Sequence, residues 1–139
     1  MTPEALAELH GAAFSATRAW SAAEFADLLS HGQTTAVGNA DCFVLVRTVL
    51  DEAEILTVAT RPAKRRQGLA RKRLDDAEAL AKSQGAEAVF LEVAEDNMAA
   101  IRLYSTSGYG QIGRRPGYYL PKDGAPIAAL VLRKPLTTT

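Results

Sequence analysis

The segment from Arg61 to Arg73 constrains this chain more than any other, because it combines dense positive charge with a strand-to-helix transition. It holds seven basic residues and no acidic one. The apolar run Ile55–Ala59 precedes it and is typical of a buried strand. After it, apolar residues recur at helical spacing, at Leu69, Leu74, Ala77, Leu80 and Ala81. The sequence therefore predicts a strand, a turn and then a helix whose N-terminus is positively charged.

A turn of this kind is suited to binding phosphate. The N–H groups in the first turn of a helix have no partner within the helix, and the helix dipole adds partial positive charge there. Gly68 lets the backbone and a ligand approach closely, because it has no Cβ. Two other interpretations fit the charge pattern alone: a solvated basic helix start, and a patch that binds nucleic acid.

Composition limits the remaining possibilities. With 139 residues, of which 47% are hydrophobic and 23% charged, the chain is expected to form a single globular domain, 1–139, with a hydrophobic core. The formal net charge of zero argues against bulk attraction to nucleic acid or to an anionic membrane. Cys42 is the only cysteine, so neither a disulfide framework nor a thiol-rich metal site is expected.

His10 and His31 lack the spacing of metal ligands, and we expect no metal. The N-terminal residues read as an amphipathic helix rather than a signal peptide, and no apolar run reaches membrane length. We therefore expect a cytoplasmic protein, either a monomer or a weak dimer.

Two helices are predicted before the first strand. Pro3 to Phe14 has helical periodicity, and Ser21 to Glu24 forms a capping box that opens a second helix ending near Ser30. Trp20 is placed to pack on Phe25 as a hydrophobic staple.

The rest of the chain alternates between strand and helix patterns. Strands are predicted at Thr34–Val37, Cys42–Leu50, Glu54–Ala59, Ala88–Val93, Gln111–Arg114 and Ile127–Leu132. Helices are predicted at Gly68–Ser83 and at Asn97–Ser107, the second with an apolar face of Met98, Ile101, Leu103 and Tyr104. A loop containing Gly117, Pro121 and Gly124 is expected between the last two strands. The order α-α-β-β-β-α-β-α-β-β indicates an α/β fold, a mixed sheet with helices on its faces.

These motifs carry a family resemblance. Arg66-Gln67-Gly68-Leu69-Ala70 is similar to the glycine signature of the GCN5-related N-acetyltransferase (GNAT) family. The region from Phe90 to Tyr109 resembles the ribosomal-protein-alanine N-acetyltransferase branch of that family in its Leu-Glu-Val strand, its Asn-x-x-Ala-Ile-x-Leu-Tyr helix and its Gly-Tyr end. Arg114-Arg115 and Tyr118 to Pro121 match the Arg-Arg-x-Tyr-Tyr-x-Pro tail of the branch with one residue inserted.

The resemblance spans about Ile55 to Leu132, and the chain departs from the family pattern at three places. It begins directly with a predicted helix, so the first strand of the family is short or missing. Ala70 occupies the last glycine position of the signature. The insertion at Pro116-Gly117 alters the segment expected to bind the acceptor.

The resemblance implies the GNAT fold and acetyl-CoA as the acetyl donor. Backbone N–H groups of the basic turn would hold the pyrophosphate, and nearby Arg or Lys side chains would meet the 3′-phosphate. The end of the preceding strand would pair with the pantetheine arm. The implied cofactor-binding residues are Val58, Ala59, Thr60, Arg65, Arg66, Gln67, Gly68, Leu69, Ala70, Arg71, Asn97 and Tyr104. Asn97 is equally well explained as a helix N-cap.

The resemblance also implies the chemistry of transfer. Glu92 would remove a proton from the acceptor amine, directly or through water, and Tyr104 would protonate or hydrogen-bond the departing thiolate. Arg114, Arg115, Tyr118 and Tyr119 would form the loop that binds the acceptor, although an ordinary surface hairpin explains them too. The implied partner is the N-terminus of a protein, possibly a ribosomal one, with alanine or a similar first residue.

Three alternatives remain open on the sequence alone. The first is the same chemistry on a lysine or a small-molecule amine. The second is an acyl-CoA-binding domain that does not catalyse, against which the spacing of Glu92 and Tyr104 argues. The third, a nucleic-acid-binding module, is the weakest, because basic residues interleaved with aromatic ones are missing outside the Arg61–Arg73 segment.

Overall fold

A computed structural model describes residues 1–14, 20–119 and 124–136, with Tyr119 described through its backbone only. The motif residues Leu120 and Pro121 lie outside the described residues, as does most of the loop predicted around Pro121. The helices are α1 (Pro3–Ala13), α2 (Ala22–Ser30), α3 (Leu69–Ser83) and α4 (Met98–Thr106), with a short 3₁₀ turn at Pro62–Lys64. The strands are β1 (Thr34–Gly38), β2 (Cys42–Val49), β3 (Glu52–Thr60), β4 (Ala88–Ala94), β5 (Gly110–Tyr119) and β6 (Ile127–Pro135).

The described strands form one mixed sheet in the order β1-β2-β3-β4-β6-β5. Neighbouring strands are antiparallel except β3 and β4, which are parallel and connected through α3. The predicted order of elements and the mixed sheet are confirmed. None of the described helices is both long and apolar enough to span a membrane.

Helices cover the sheet on both faces. On one face, α1 and α2 pack on the first strands through a cluster containing Leu6, Leu9, Phe25, Phe43, Leu45 and Ala59. On the other face, α3 and α4 pack through a larger cluster that includes Val46, Ile55, Leu74, Val89, Leu91 and Tyr104. The capping box at Ser21 and the packing of Trp20 on Phe25, with ring centroids 5.6 Å apart, are both present as predicted.

The C-terminal half of the sheet differs from the prediction in one element. Strand β5 runs to Tyr119, so Gly117 lies within a strand rather than in the predicted loop. Arg114, Arg115 and Tyr119 each align with a residue of β6, and the register shifts between Arg115 and Tyr119. Pro116 and Gly117 therefore form an irregularity in the strand, where Gly117 supplies a φ of +64°.

A second difference concerns α4. Met98 was predicted on its apolar face, but its side chain is 63% exposed, whereas Tyr104 is buried. Met98 is the first residue of the helix, and it precedes the turns that contact the core.

Candidate active site

The sheet opens into a wedge between its two parallel strands. Strands β3 and β4 are in register only from Glu52 and Ala88 to Ile55 and Leu91. Beyond those pairs, β3 continues to Thr60 and β4 to Ala94 without pairing to each other. The edges that face each other across this opening carry backbone groups free to bind an extended ligand.

A bulge in β3 lies where the wedge begins. Val46 of β2 aligns with Ile55 and Leu45 aligns with Thr57, so Leu56 has no partner on β2. In a regular strand, residues three apart point to opposite faces, yet Ile55 and Val58 both pack in the core beneath α3 and α4. The bulge thus bends β3 away from β4, and it reverses the faces to which the side chains after Leu56 point.

The predicted phosphate-binding turn lies beside this opening. Gly68 is the N-cap of α3 with φ +76°, and no side chain caps the helix there. The other described α-helices are capped by the side chains of Thr2, Ser21 and Asn97. A Cβ added at Gly68 would meet no atom within 4 Å, so the space in front of this helix start is open. The first N–H groups of α3 are therefore available to an anion.

Most of the basic side chains of the Arg61–Arg73 segment hold the fold together instead of facing that space. Arg61 donates to both carboxylate oxygens of Glu8, at 3.1 and 2.7 Å, and these hydrogen bonds lower the pKa of Glu8. Arg65 donates to the Ala13 carbonyl at 2.9 Å. Among the described residues, Lys64 and Arg66 are exposed and their side chains form no hydrogen bond or ion pair, so these two side chains are free to meet a phosphate.

Arg71 was expected at the cofactor, and the structure shows a different contact for its side chain. Its Nη2 donates to the Thr106 carbonyl at 3.0 Å, which connects the start of α3 to the end of α4. Arg71 thereby places a cation at the C-terminus of α4, where the helix dipole favours it. Its backbone N–H remains part of the uncapped first turn of α3.

The predicted pantetheine strand borders the wedge. Val58 and Thr60 are half-buried and Ala59 is buried against α1 and α2. The Thr60 hydroxyl lies 3.2 Å from the Cys42 sulfur, and burial raises the pKa of that thiol. Asn97 caps α4 by accepting from the Ala100 N–H at 3.2 Å through Oδ1, which leaves its amide nitrogen free to contact a ligand.

Glu92 and Tyr104 lie on opposite faces of the sheet, and Glu92 belongs to the part of β4 that borders the wedge. Tyr104 is 7% exposed and packs in the cluster beneath α3 and α4, with its ring centroid 5.8 Å from that of Tyr109. Glu92 lies between Leu91 and Val93, which face that cluster, so its side chain points to the other face. There its Oε1 lies 3.2 Å from Nη2 of Arg115.

The predicted acceptor-binding residues are divided by their places on β5. Arg115 reaches Glu92 and lies over the Tyr118 ring, with its Cζ 5.5 Å from the ring centroid. Arg114 instead donates to both carboxylate oxygens of Glu95, at 3.2 and 3.0 Å, and these bonds lower the pKa of Glu95. Of the three members whose side chains the structure describes, Arg115 contacts Glu92, Tyr118 contacts Arg115, and Arg114 pairs elsewhere.

Two grooves lie on the face that carries Glu92. One, of about 320 Å³, is lined by Arg47, Glu52, Glu54, Phe90, Glu92 and Arg115 among others. The other, of about 490 Å³, lies between α2 and the bulged Leu56, with Trp20 and Leu28 on its walls. An acceptor can therefore reach Glu92 from this side, while α3 presents its uncapped end for an anion.

Sequence reasoning missed two clusters that support the site. Tyr109 donates to Glu78 at 2.9 Å and Lys134 donates to the same carboxylate at 2.7 Å, while burial raises the pKa of Tyr109. This buried network packs next to Tyr104. The second cluster centres on His10, which lies 3.3 Å from the Thr57 hydroxyl on β3. In the sequence, the only sign of each cluster is one polar or charged residue, Glu78 or His10, among the apolar positions of a predicted helix.

Comparisons with known proteins show what the chain resembles. The model of the acetyltransferase (GNAT) family matches residues 7–109. The chain is 34% identical over 99 residues to the [ribosomal protein bS18]-alanine N-acetyltransferase of Escherichia coli (strain K12). The aligned region covers 71% of this chain and 67% of that protein. It is 39% identical over 85 residues to the N-alpha-acetyltransferase RimI of Mycobacterium tuberculosis, covering 61% of this chain and 52% of the relative.

A solved structure extends the likeness to the whole fold. The crystal structure of the ribosomal-protein-S18-alanine N-acetyltransferase from Escherichia coli superimposes with a TM-score of 0.86 at 27% identity. The match covers 99% of this chain and 89% of that one.

Proposed function

The chain belongs to the acetyltransferase (GNAT) family and is an acetyl-CoA-dependent N-acetyltransferase, and we propose that its acceptor is the N-terminal amine of a protein. The relatives named above act on an alanine N-terminus or on an α-amine by name. We propose a similar acceptor here, a ribosomal or other protein that begins with alanine or another small residue.

The observation that supports this proposal is that Glu92 borders the wedge between β3 and β4, with Tyr104 on the opposite face of the sheet. A donor bound along β3 and at the start of α3 would place its thioester in the opening. An amine that enters from the grooved face would meet Glu92 first. Reaction then needs no covalent enzyme intermediate, because the two substrates meet directly across the wedge.

In the proposed reaction, Glu92 takes one proton from the acceptor ammonium, directly or through a water. The freed nitrogen lone pair then attacks the thioester carbonyl. The oxyanion that develops on this carbonyl accepts a hydrogen bond from a backbone N–H near Val58. A free α-amine has a pKa of roughly 7.7–8.0 and a lysine about 10.4, so a carboxylate base is far better matched to the α-amine. This difference favours an N-terminal acceptor over lysine.

Collapse of the tetrahedral intermediate breaks the C–S bond and leaves charge on sulfur. Tyr104 would donate its hydroxyl to that sulfur as the bond breaks. An ordinary thiol has a pKa near 8.5 and a phenol near 10, so complete proton transfer from phenol to thiolate is uphill by about 2 kcal/mol. We therefore assign Tyr104 a hydrogen bond that strengthens with the charge. The second amine proton completes the thiol, and the proton on Glu92 goes to solvent.

Mass spectrometry of two peptides tests the acceptor. One peptide begins with a free alanine, and the other is the same sequence with a blocked N-terminus and an internal lysine. We expect acetylation of the first peptide only. Acetylation of the blocked peptide alone would show that the acceptor is a lysine. If neither peptide is acetylated, the acceptor is a small amine or the domain only binds acyl-CoA.

Substitution of the two side chains tests their roles. Glu92→Gln should lower kcat/KM for the peptide by about 10²-fold or more, and Tyr104→Phe should lower kcat with little effect on acetyl-CoA binding. Glu95→Gln is the matched control, since Glu95 also pairs with an arginine of β5 but lies outside the wedge. Unchanged rates in both Glu92→Gln and Tyr104→Phe would show that the catalytic assignment is wrong.

A further inference from the structure

We propose that Arg115 is an exchangeable counter-ion for Glu92, and that it occupies the place which the acceptor ammonium takes on binding. The inference rests on the proposed role of Glu92 as the acceptor's base. It makes Arg115 a residue that sets acceptor affinity, distinct from the residues that contact the donor.

Arg115 reaches Glu92 across an intervening strand. Glu92 aligns with Val131 of β6, and Arg115 of β5 aligns with Ala129. Two inter-strand spacings separate the backbones, or about 9.6 Å. The side chain must therefore extend over β6, where the small Ala129 lies beneath its path, and the guanidinium ends 3.2 Å from the carboxylate.

The two partners are exposed to very different degrees. The Glu92 side chain is 24% exposed and that of Arg115 is 59% exposed. A carboxylate that is largely withdrawn from water needs a cation, whereas a guanidinium that remains half in water can leave at little cost. Among the described residues, Arg115 is the one cation that pairs with Glu92. Arg115 thus compensates the negative charge of Glu92 until another cation binds there.

Arg115 has a second contact, with the Tyr118 ring, that does not depend on Glu92. The irregularity at Pro116 and Gly117 brings the Tyr118 ring to within 5.5 Å of the guanidinium. A cation over the face of an aromatic ring is attracted by the ring quadrupole. Arg115 can therefore release Glu92 and keep its contact with the ring. The inserted residue that distinguishes this segment thereby acquires a physical role.

An exchange of this kind has a distinct electrostatic signature. When an ammonium replaces a guanidinium, the number of ion pairs at Glu92 does not change. Salt therefore screens Glu92 to a similar extent in the free and the acceptor-bound enzyme, and acceptor affinity depends little on salt. If Arg115 is absent, acceptor binding creates an ion pair that did not exist before. Binding should then become tighter at low salt and weaken as salt is added.

The experiment measures acceptor KM and kcat at 20 mM and 300 mM NaCl, with acetyl-CoA saturating and the alanine-starting peptide as the probe. In Arg115→Met we expect the acceptor KM at low salt to fall by about 1.5–5-fold, the range of a surface ion pair. That KM should rise with salt, whereas the wild-type KM should change little. Arg115→Lys should restore the wild-type behaviour, because it restores the cation.

Arg133→Met provides the control for a general change of charge. Arg133 lies on the same face, with its guanidinium 5.7 Å from the Phe90 ring centroid, and in the described part of the chain it forms no ion pair with Glu92. Its variant should keep the wild-type salt dependence. An equal fall of KM in both variants, or a higher KM in Arg115→Met, would overturn the exchange.

Two outcomes separate this inference from the proposed function. If the wild type does not acetylate the free N-terminus, the proposed function fails and the exchange fails with it. If the wild type acetylates it and Glu92→Gln does not, but Arg115→Met keeps the wild-type KM at both salt concentrations, only the exchange is wrong. Circular dichroism of each variant verifies that the exposed substitutions leave the fold intact.

Discussion

His10 joins the helical layer to the strand that borders the wedge, and it does so as a neutral side chain. The backbone N–H of Trp20 donates to Nδ1 of His10 at 3.2 Å, so Nε2 carries the proton and donates to the Thr57 hydroxyl at 3.3 Å. The ring also stacks on Trp20 with centroids 5.0 Å apart. Burial lowers the pKa of His10 from 6.5 to about 4, because the charged form would be desolvated.

This arrangement predicts a loss of stability in mild acid. The folded pKa lies below the unfolded one, so the contribution of His10 is complete above pH 6.5 and is lost as the pH falls through about 4. The free energy of unfolding should drop by up to about 3 kcal/mol over that interval from this residue alone. Urea titrations at pH 7, 5.5 and 4.5 measure it.

His10→Gln should flatten that part of the pH dependence, although the variant is less stable at pH 7. His31→Gln is the control, since His31 is exposed at the end of α2. Equal slopes in the wild type and in His10→Gln would show that His10 does not act as the acid-sensitive contact.

Among the described elements, α3 is the α-helix without a side-chain cap, and its start faces open space. Gly68 has φ +76° and an added Cβ would touch nothing, so an alanine there costs only backbone strain, about 1 kcal/mol. We expect Gly68→Ala to fold and yet to bind acetyl-CoA about tenfold more weakly, because the methyl group enters the space meant for phosphate. Calorimetric titration with acetyl-CoA gives the affinity.

Gly85→Ala separates strain from ligand contact. Gly85 follows the other end of α3 with φ +102°, and its added Cβ would lie 3.8 Å from the Leu50 carbonyl, an ordinary contact. It should lose similar stability without losing affinity. If both variants bind acetyl-CoA as tightly as the wild type, the turn at Gly68 is not the phosphate site.

Elements were predictable from the sequence where local chemistry determined them. The capping box at Ser21 and the periodicity of α3 fixed two helices almost to the residue, because caps and apolar spacing are local signals. Strand β5 was predicted too short, since Pro116 and Gly117 normally end a strand and only the pairing with β6 carries it on to Tyr119.

The geometry of the site depended on contacts that no local pattern records. The run Ile55–Ala59 is uniformly apolar, so nothing in it marks Leu56 as the bulged residue that opens the wedge. Likewise, adjacent arginines look equivalent in sequence, yet Arg115 reaches Glu92 while Arg114 pairs with Glu95. Their partners are set by strand order, which is a property of the whole sheet.

At the scale of the molecule, charge is distributed in agreement with a donor side and an acceptor side. Seven of the 16 basic residues lie between Arg61 and Arg73, and the rest of the chain carries nine basic and 16 acidic residues. The uncapped start of α3 lies beside this positive segment, and the groove that contains Glu92 also holds Glu52 and Glu54. Two substrates can therefore be attracted to the wedge from different sides.

Hydrogen–deuterium exchange with acetyl-CoA tests whether the wedge and the start of α3 form one cofactor site. The unpaired edge of β3 from Leu56 to Thr60 and the first turn of α3 should exchange more slowly when the ligand accepts their N–H groups. At 100 times the dissociation constant, the ligand stabilises the bound state by about 2.7 kcal/mol, which corresponds to roughly 100-fold slower opening at the site.

The edge strand β1 is the internal control for that experiment. Its outer N–H groups face away from the wedge and exchange through local fluctuations, so acetyl-CoA should leave them nearly unchanged. Slowing confined to β1 or β5 would locate the cofactor elsewhere. Slowing in the first turn of α3 without β3 would show that the helix start binds phosphate alone, and that the bulge at Leu56 does not receive the pantetheine arm.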